Sequence, residues 1–320
     1  MVRIVVVDNL HLDPENRQRL KNLGEVVIYK NDTYNQEQVI QRLQNANIGL
    51  ILFSRITDRV LTMCPDLKML SLWCSGTDHI DLTSATKHRV LICNVPGYAE
   101  VAVAEHVFAM ILGILRHIPQ ADKHVRDGQF NWSAFCGHEL CGKTLGIFGL
   151  GKIGSCLARI AHGFGMKVIA CSKTHRKRKE NELGVTYVSM DNLLRESDVV
   201  SVHAALTSET ESIFGEPEFR KMKSSALFVN TARGGIVKYP ELADALMRGE
   251  IAGACIDVYS HEPPSEEVSL FSPLNVIMTP HIGYNTEEAV RRCTTVCVDN
   301  VERFLAGQPL NNVNDLEKGC

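Results

Sequence analysis

A glycine-rich stretch in the middle of the chain has the spacing of a dinucleotide-binding loop. Gly149, Gly151 and Gly154 fit the pattern G-x-G-x-x-G, directly after a predicted strand and at the start of a predicted helix. Glycines at these positions allow a tight turn and a close approach of the backbone to a pyrophosphate, which the helix N-terminal amides of Lys152 and Ile153 would bind. A turn whose glycines serve only helix packing is the alternative.

The end of the next predicted strand bears on the choice between NAD and NADP. An Asp or Glu at this place binds the ribose hydroxyls of NAD, but this chain has Ser172. Lys173, Thr174 and Arg176 follow in a basic loop that runs to Lys179 and offers charged donors to an adenosine 2′-phosphate. A solvated surface loop is the alternative. The missing carboxylate favours NADP(H) as cofactor, with NAD(H) as the second option.

Three polar residues follow later predicted strands, each beside glycine or proline. Arg233 precedes Gly-Gly, Glu262 precedes a proline, and His281 lies between a proline and Ile-Gly. The carboxyl ends of strands in a parallel sheet form the edge at which open α/β sheets bind ligands. Beside a dinucleotide loop, a cation, an imidazole and a carboxylate are the groups that reversible hydride transfer to a keto acid requires. Singly, each residue also fits a structural role.

The hydrophobic pattern predicts the scaffold that brings these strand ends together. Short apolar runs alternate with amphipathic segments along the chain, which is the order expected of parallel sheets with crossover helices. Pro96-Gly97 marks a turn between two such series, and the segment from Ala99 to Ala121 is predicted to form one long helix. A last helix, Thr286 to Leu305, has no strand to cover in the second series, so we expect it to pack on the first domain.

Composition excludes several classes of protein. Lys plus Arg total 34 against 37 Asp plus Glu, so there is no electrostatic argument for a nucleic-acid or membrane partner. No apolar run reaches the roughly 18 residues of a membrane span, and the first residues are typical of a strand rather than a signal peptide, which favours a cytoplasmic protein. The eleven cysteines lack zinc-site or disulfide-framework spacing, so we predict reduced thiols and no metal.

At these motifs the sequence resembles the D-isomer-specific 2-hydroxyacid dehydrogenase family, and the likeness runs over most of the chain. The matching stretches are, in order, Ser75-Gly-Thr-Asp-His-Ile-Asp81, Asn94-Val-Pro-Gly97, Val103-Ala-Glu-His106, Gly142-Lys-Thr-Leu-Gly146, the glycine loop, Val229-Asn-Thr-Ala-Arg-Gly-Gly-Ile-Val237, Gly253-Ala-Cys-Ile-Asp-Val258, Glu262-Pro263 and Thr279-Pro-His-Ile-Gly283. The resemblance implies two doubly wound α/β domains: a Rossmann cofactor domain, residues 98–286, inserted into a split flavodoxin-like substrate domain, residues 1–97 and 287–320. It also implies a homodimer built on the long helix after Pro96.

The resemblance further implies roles for individual residues. His281 would protonate the carbonyl oxygen of the substrate during reduction, and Glu262 would orient His281. Arg233 would bind the substrate carboxylate and polarise the carbonyl. Ser75 and Gly76 would add backbone donors from the first domain, so that domain closure would complete the site.

Other residues match cofactor contacts of the family. Asp257 matches the residue that faces the nicotinamide carboxamide. The remaining matched positions that line the cofactor are His203, Ala204, Thr231, Ala232 and Gly283. Ser172-Lys-Thr174 is similar to the Ser-Arg-Thr stretch common in NADP-preferring glyoxylate and hydroxypyruvate reductases. Two departures stand out: Ala205 replaces a usual proline, and Lys238-Tyr239 replaces a usual acidic pair.

These observations favour an NAD(P)-dependent reductase of a small 2-keto acid of the glyoxylate or hydroxypyruvate kind. Formate and phosphite dehydrogenases share the fold, but no motif selects either substrate. A nucleotide-sensing corepressor is a rival of another class, although such proteins carry extra tails and this chain has only a short polar tail from Asn311. An inactive relative would usually lack Arg233, Glu262 or His281, and all three are present. Side-chain specificity depends on a pocket lining that sequence order does not reveal.

Overall fold

The computed structural model describes residues 1–33, 35–264, 271 and 275–316, which form two compact units. Unit 1 comprises Met1–Tyr98 and Thr286–Cys320, and unit 2 comprises Ala99–Asn285. Each unit is built on a parallel sheet of its own. The predicted fold class, two parallel-sheet α/β domains, is therefore confirmed.

Unit 1 contains a five-stranded sheet in the order β2-β1-β3-β4-β5, which is a doubly wound order of the flavodoxin type. Its strands are β1 (Arg3–Val6), β2 (Glu25–Ile28), β3 (Ile48–Ile51), β4 (Met69–Leu72) and β5 (Leu91–Cys93). Its helices are α1 (Pro14–Leu23), α2 (Gln36–Leu43), α3 (Asp58–Met63), α4 (Leu82–Lys87) and α12 (Glu287–Leu305).

Helix α12 belongs to unit 1 although it comes last in the chain. Its first turn is capped by Thr286, whose hydroxyl accepts a hydrogen bond from the amide of Ala289. Its buried side chains include Cys293 and Cys297, and the Ser71 hydroxyl on β4 donates to the Cys297 carbonyl over 2.8 Å. The chain therefore returns to the first sheet after completing unit 2.

Unit 2 contains a seven-stranded sheet in the order β12-β11-β10-β9-β6-β7-β8. Its strands are β6 (Thr144–Phe148), β7 (Lys167–Cys171), β8 (Thr186–Tyr187), β9 (Val199–Val202), β10 (Leu227–Asn230), β11 (Gly253–Ile256) and β12 (Val276–Met278). Its helices are α5 (Glu100–Leu115), α6 (Ile118–Arg126), α7 (Lys152–Gly163), α8 (Lys177–Leu183), α9 (Met190–Glu196), α10 (Glu216–Phe219) and α11 (Tyr239–Met247).

The prediction of one long helix from Ala99 to Ala121 was wrong. Helix α5 ends at Leu115, His117 has a left-handed φ of 53°, and α6 then begins with Pro119 in its first turn. Proline has no N–H and its ring clashes with the carbonyl four residues earlier, so the first helix cannot continue through it. The two helices meet at a bend of 61°.

Helix α5 is largely a core element of unit 2. Nine of its residues are buried, among them Ala104, Val107 and Ile111. In the ranges that the structure describes, no single helix is long and apolar enough to cross a membrane. The bent pair of α5 and α6 has the length and composition of a span, and burial of most of α5 in the unit 2 core accounts for its apolar composition.

Candidate active site

The predicted catalytic residues leave one edge of the unit 2 sheet. Strands β10, β11 and β12 end in one row, in which Asn230 pairs with Ile256 and Ile256 pairs with Met278. The segments that carry Arg233, Glu262 and His281 follow directly after this row. The glycine loop follows β6 in the same sheet, so all of them lie at its carboxyl edge, where ligands of open α/β sheets bind.

Glu262 and His281 form a hydrogen-bonded pair. Oε2 of Glu262 lies 2.7 Å from Nδ1 of His281, and the other carboxylate oxygen, Oε1, accepts a 3.1 Å hydrogen bond from the amide of Tyr259. A carboxylate only accepts, so Nδ1 of His281 carries the hydrogen of this bond. Both side chains are about one-third exposed. The imidazole is therefore oriented at one nitrogen and accessible.

Asp257 holds the backbone that directly follows His281. Its Oδ1 accepts hydrogen bonds from the Thr279 hydroxyl at 2.6 Å and the Ile282 amide at 2.9 Å, and its Oδ2 accepts one from the Gly283 amide at 2.8 Å. His281 itself has a left-handed φ of 54°. The bonds on both sides of His281 hold it in this uncommon conformation.

The electrostatics of Asp257 suit this structural role. The residue is only 1% exposed, and burial alone would raise the pKa of its carboxyl group. Hydrogen bonds from His106, Thr279 and the two amides outweigh burial and lower the pKa below its ordinary value. The carboxylate therefore stays charged and bonded to the catalytic loop. The expected contact of Asp257 with the nicotinamide carboxamide stays a prediction.

Two buried residues shape the turn that carries Arg233. The side chain of Asn230 accepts from the Ala232 amide at 3.1 Å and donates to the Arg233 carbonyl at 3.0 Å. It also donates to the hydroxyl of Tyr239, which in turn donates to the carbonyl of Val258 after β11. Neither residue was predicted to have this role: Tyr239 was noted only as a departure from the family pattern, and for Asn230 the available signal was an asparagine that ends an apolar strand.

Gly234 brings the Arg233 turn close to the segment that precedes Glu262. A Cβ atom at this glycine would lie 2.0 Å from the carbonyl carbon of Tyr259, so no larger residue fits. The Arg233 guanidinium donates to the carbonyl of Ala232 through Nη1 at 2.8 Å. The turn thus holds both the backbone and part of the side chain of Arg233.

The glycine loop has the geometry of a phosphate cradle. Gly149 has a φ of +100°, and a Cβ there would lie 2.6 Å from the Ala204 amide nitrogen. A Cβ at Gly154 would lie 2.6 Å from the Gly149 carbonyl oxygen, whereas a Cβ at Gly151 would meet nothing within 4 Å. Two glycines therefore permit close packing, and the third leaves open space beside the loop.

The groups around this space fit a dinucleotide. Helix α7 begins at Lys152 and Ile153 without a side-chain cap, which leaves its first N–H groups for an anion. Nδ1 of His203 and Oγ1 of Thr231, after the adjacent strands β9 and β10, are buried without a partner in the described chain. Such atoms need a hydrogen-bonding ligand or water. Ala204 and Ala232 directly follow these two residues.

His203 is neutral at this edge. Its Nε2 lies 2.8 Å from the Ser201 hydroxyl, and burial lowers the pKa of the imidazole to about 4. A neutral ring can offer one donor and one acceptor nitrogen to its surroundings.

The basic segment after Ser172 is only partly a loop. Helix α8 begins at Lys177, so the expectation of a loop through Lys179 was wrong for its last three residues. An acidic side chain engages Lys173, because its Nζ lies 2.8 and 2.7 Å from the carboxylate oxygens of Glu209. Thr174 is exposed.

Arg176 differs from its neighbours. His175 and Lys177 both bond Glu180, and these hydrogen bonds, that from Lys177 first, lower the pKa of the Glu180 carboxyl. The Arg176 side chain is exposed and forms no hydrogen bond or ion pair with any described residue. Lys173 and Arg176 are the charged side chains predicted to contact a 2′-phosphate. Of these two, only Arg176 is not already bonded to a carboxylate of the described chain.

Ser75 and Gly76 belong to unit 1 and follow strand β4. The Ser75 hydroxyl donates to the Val95 carbonyl at 2.6 Å, and the Ser75 carbonyl accepts from the side chain of Asn94 at 2.8 Å. The amides of Ser75 and Gly76 donate to no other described residue. They are available as backbone donors at the carboxyl edge of the unit 1 sheet.

Metal-ligating side chains do not cluster in the ranges described. No group of three or more His, Cys, Asp or Glu residues there could hold a metal ion. The ten described cysteines are free thiols. Burial raises the pKa of several of them, and it raises that of Cys64 to about 11.

Comparisons with known proteins agree with this geometry. Residues 108–283 match the model of the D-isomer specific 2-hydroxyacid dehydrogenase NAD binding domain. A glyoxylate reductase of Thermococcus litoralis is 41% identical over 82% of this chain and 83% of its own, and a hydroxypyruvate reductase of Blautia hydrogenotrophica is 33% identical over 98% and 100%. A solved acyclic imino acid reductase in complex with NADPH and D-Arg superposes with a TM-score of 0.88 at 29% identity, over 98% of this chain and 100% of that one. The chain belongs to the D-isomer specific 2-hydroxyacid dehydrogenase family.

Proposed function

We propose that the chain reduces glyoxylate, hydroxypyruvate or a 2-keto acid of similar size to the D-2-hydroxy acid, with NADPH as the favoured cofactor. As a member of its family, the chain is an NAD(P)-dependent 2-hydroxyacid dehydrogenase. The choice of substrate rests on the curated relatives, which carry the names glyoxylate reductase and hydroxypyruvate reductase. The single observation that carries the proposed mechanism is the 2.7 Å hydrogen bond between Glu262 and His281.

The chemistry follows from that pair and from Arg233. A bound reduced nicotinamide supplies the hydride to the carbonyl carbon. His281, with Nδ1 bonded to Glu262, donates a proton from Nε2 to the carbonyl oxygen. Arg233 binds the substrate carboxylate through its planar, two-donor guanidinium.

The two units take different parts in this proposal. Unit 2 binds the cofactor: the amides of Lys152 and Ile153 bind the pyrophosphate, and the unpartnered atoms of His203 and Thr231 bond the nicotinamide half. Further contacts in unit 2 come from Ala204, Ala232, Asp257 and Gly283. Unit 1 binds the substrate carboxylate through the free amides of Ser75 and Gly76.

Two features support a preference for NADPH. Ser172 follows β7 at the place where a carboxylate would repel a 2′-phosphate and bind the free hydroxyls of NAD. Arg176 offers a guanidinium without an acidic partner in the described chain, and Thr174 offers a hydroxyl. Lys173 would have to leave Glu209 to contribute, so its share is smaller.

Exposed apolar side chains support a homodimer. Ile118 and Val125 on α6 are each 57% exposed, and Phe130 and Trp132 in the following segment are 91% and 83% exposed. Such a group of large apolar residues marks an interaction surface. Because α5 is mostly buried within unit 2, we place the dimer contact on α6 and the segment to Trp132. The described cysteines are free thiols, two of them exposed, which supports a reducing compartment such as the cytoplasm.

An activity screen tests the proposed function. The purified chain is incubated with glyoxylate, hydroxypyruvate, pyruvate or a longer keto acid, each with NADPH and with NADH, and oxidation of the cofactor is followed by absorbance. We expect the highest kcat/KM with glyoxylate or hydroxypyruvate and NADPH. Oxidation of formate or phosphite in a parallel assay with NADP+ or NAD+, without reduction of any keto acid, would contradict the proposal. Tight NADPH binding without turnover of any substrate would support a nucleotide sensor instead.

A further inference from the structure

Lys179 contacts the outer side of the glycine loop. Its Nζ donates to the carbonyl of Leu150 at 2.9 Å, to the carbonyl of Gly151 at 3.3 Å and to the hydroxyl of Ser155 at 3.1 Å. The Ser155 hydroxyl itself donates to the Gly151 carbonyl at 2.6 Å. The Gly151 carbonyl also accepts the amide of Ser155 at 3.1 Å, so the ammonium on α8 holds the Leu150 carbonyl and shares the Gly151 carbonyl with the first turn of α7.

These contacts also affect the orientation of the backbone amides in the same loop. In a peptide chain, fixing a carbonyl also fixes the plane of the next amide, because the peptide group is planar. The Leu150 and Gly151 carbonyls belong to the peptide groups whose N–H groups come from Gly151 and Lys152. Lys179 therefore holds the peptide group that carries the Gly151 N–H, and together with Ser155 it holds the peptide group that carries the Lys152 N–H, both at the proposed pyrophosphate cradle.

Helix α8 is attached to α7 at both of its ends. Near its start, Lys179 bonds the glycine loop and Ser155 of α7. Near its end, the Leu183 carbonyl lies 2.7 Å from Nε2 of His162 on α7. Arg176, the N-cap residue of α8, is consequently held at a fixed distance from the glycine loop.

The positive charge around Lys179 has no bound counter-charge. Burial, and then the charges of Arg176 and Arg159, lower the pKa of the Lys179 ammonium. Like the side chain of Arg176, that of Arg159 forms no hydrogen bond or ion pair with another residue in the described ranges. Lys152, the first residue of α7, forms an ion pair with Glu100 at 3.6 Å. An anion at the loop amides would relieve the mutual repulsion of three cations.

We propose that Lys179 is a positioning residue for the pyrophosphate of the dinucleotide, which acts through the glycine loop and does not touch the 2′-phosphate. The inference rests on the proposed cofactor site in unit 2. It assigns cofactor affinity to a side chain outside the glycine motif, and it separates that affinity from the choice between NADPH and NADH, which Ser172 and Arg176 determine.

The test compares Lys179→Met with Lys179→Arg and with a matched control, Arg178→Met. Arg178 is the preceding residue of the same helix, is exposed, and pairs with Glu182 rather than with the loop. Dissociation constants for NADPH, NADH, ADP-ribose and adenosine 2′-phosphate are measured by calorimetry, together with kcat at saturating NADPH. Ser155→Ala is the second variant, because it removes one partner of Lys179 and keeps the charge.

In Lys179→Met we expect NADPH, NADH and ADP-ribose to bind about tenfold more weakly, the loss that goes with one hydrogen-bonded charge. Adenosine 2′-phosphate, which has no pyrophosphate, and kcat at saturation should change less than about twofold. Lys179→Arg should recover most of the affinity, Ser155→Ala should weaken all three pyrophosphate ligands by a smaller factor, and Arg178→Met should match the wild type.

Two results would overturn this inference alone. Unchanged affinities in Lys179→Met would show that the loop keeps its conformation without the ammonium, and a loss confined to NADPH and adenosine 2′-phosphate would place Lys179 on the 2′-phosphate. If Lys179→Met does not fold, equal affinities of Ser155→Ala and the wild type for ADP-ribose would also count against it. Failure of the wild type to bind either dinucleotide would instead refute the cofactor site itself.

Discussion

Nδ1 of His281 and Oε2 of Glu262 lie 2.7 Å apart, and this bond sets which imidazole nitrogen can act on a substrate. With Nδ1 engaged by the carboxylate, Nε2 is the nitrogen left to exchange a proton. The amide of Tyr259 holds the other carboxylate oxygen, so the pair is fixed from the backbone of unit 2.

Replacement of His281 by alanine removes the proposed proton donor. We expect kcat for keto acid reduction to fall by about 100- to 10,000-fold, the usual contribution of general acid catalysis. The dissociation constant of NADPH should stay nearly unchanged, because the imidazole does not contact the glycine loop. The control is His261→Ala, which removes an exposed imidazole next to Glu262. Equal kcat values for His281→Ala and the control would refute the role of His281.

Arg233→Lys keeps the positive charge and removes the planar pair of donors. An ammonium cannot form two parallel hydrogen bonds with a carboxylate, so we expect kcat/KM for the keto acid to fall by about tenfold or more. Steady-state kinetics at saturating cofactor measure the effect. A lysine variant as efficient as the wild type would show that Arg233 acts only through its charge or not at all.

Ser172→Asp should reverse the cofactor preference. We expect the wild type to bind NADPH about tenfold more tightly than NADH, the sum of two or three weak contacts to the 2′-phosphate. A carboxylate at position 172 would repel that phosphate, while Ser224→Asp, an exposed change before β10, should leave the preference unaltered. Higher salt should weaken NADPH more than NADH. Tighter binding of NADH by the wild type at low salt would contradict the assignment.

The low pKa of His203 should make the stability of unit 2 depend on pH. Its pKa is about 4 in the folded chain, against about 6.5 when unfolded, so only the unfolded state takes up the proton as the pH falls below 6.5. From this site alone, the free energy of unfolding should drop by about 2 kcal/mol between pH 7 and pH 5, and stop dropping below pH 4. Urea titrations of the apo chain at both pH values should show a smaller drop in His203→Gln. An equal drop in both chains would refute a buried neutral imidazole.

The exposed segment after α6 should hold the dimer together. Sedimentation of the wild type should give a dimer, and Phe130→Ser combined with Trp132→Ser should give a monomer, because the two side chains are the most exposed large apolar groups there. Met247→Ser removes another exposed apolar side chain, on α11, and should leave the dimer intact. A monomeric wild type, or a dimeric double variant, would contradict this placement.

Sequence patterns predicted elements whose signals are local. The last helix was predicted from Thr286 to Leu305, and the structure has it from Glu287 to Leu305 because the Thr286 side chain caps its first turn. The break between α5 and α6 was missed because the apolar stripe continues past it. The signal for the break was Pro119, which cannot lie inside a continuous helix. Local signals therefore sufficed where a capping residue starts a helix. They failed where the apolar pattern favoured a continuous helix and a proline favoured a break.

The supporting residues of the site could not be predicted in the same way. Tyr239 joins Asn230 at the Arg233 turn to the Val258 carbonyl, 19 residues further along the chain, and Lys179 bonds a loop 29 residues earlier in the chain. Neither spacing belongs to a recognisable motif, because the sheet, rather than the sequence, brings the partners together. In contrast, Glu262 and His281 were predicted as partners, since each follows a strand of the same parallel sheet.

The stereochemistry and stoichiometry of hydroxypyruvate reduction test the proposed function most directly. The wild-type chain is given hydroxypyruvate and NADPH, the glycerate formed is resolved by chiral chromatography, and the oxidised cofactor is measured in the same sample. We expect D-glycerate in an amount equal to the NADPH consumed. L-glycerate as the product, or no glycerate at all from any cofactor, would contradict it.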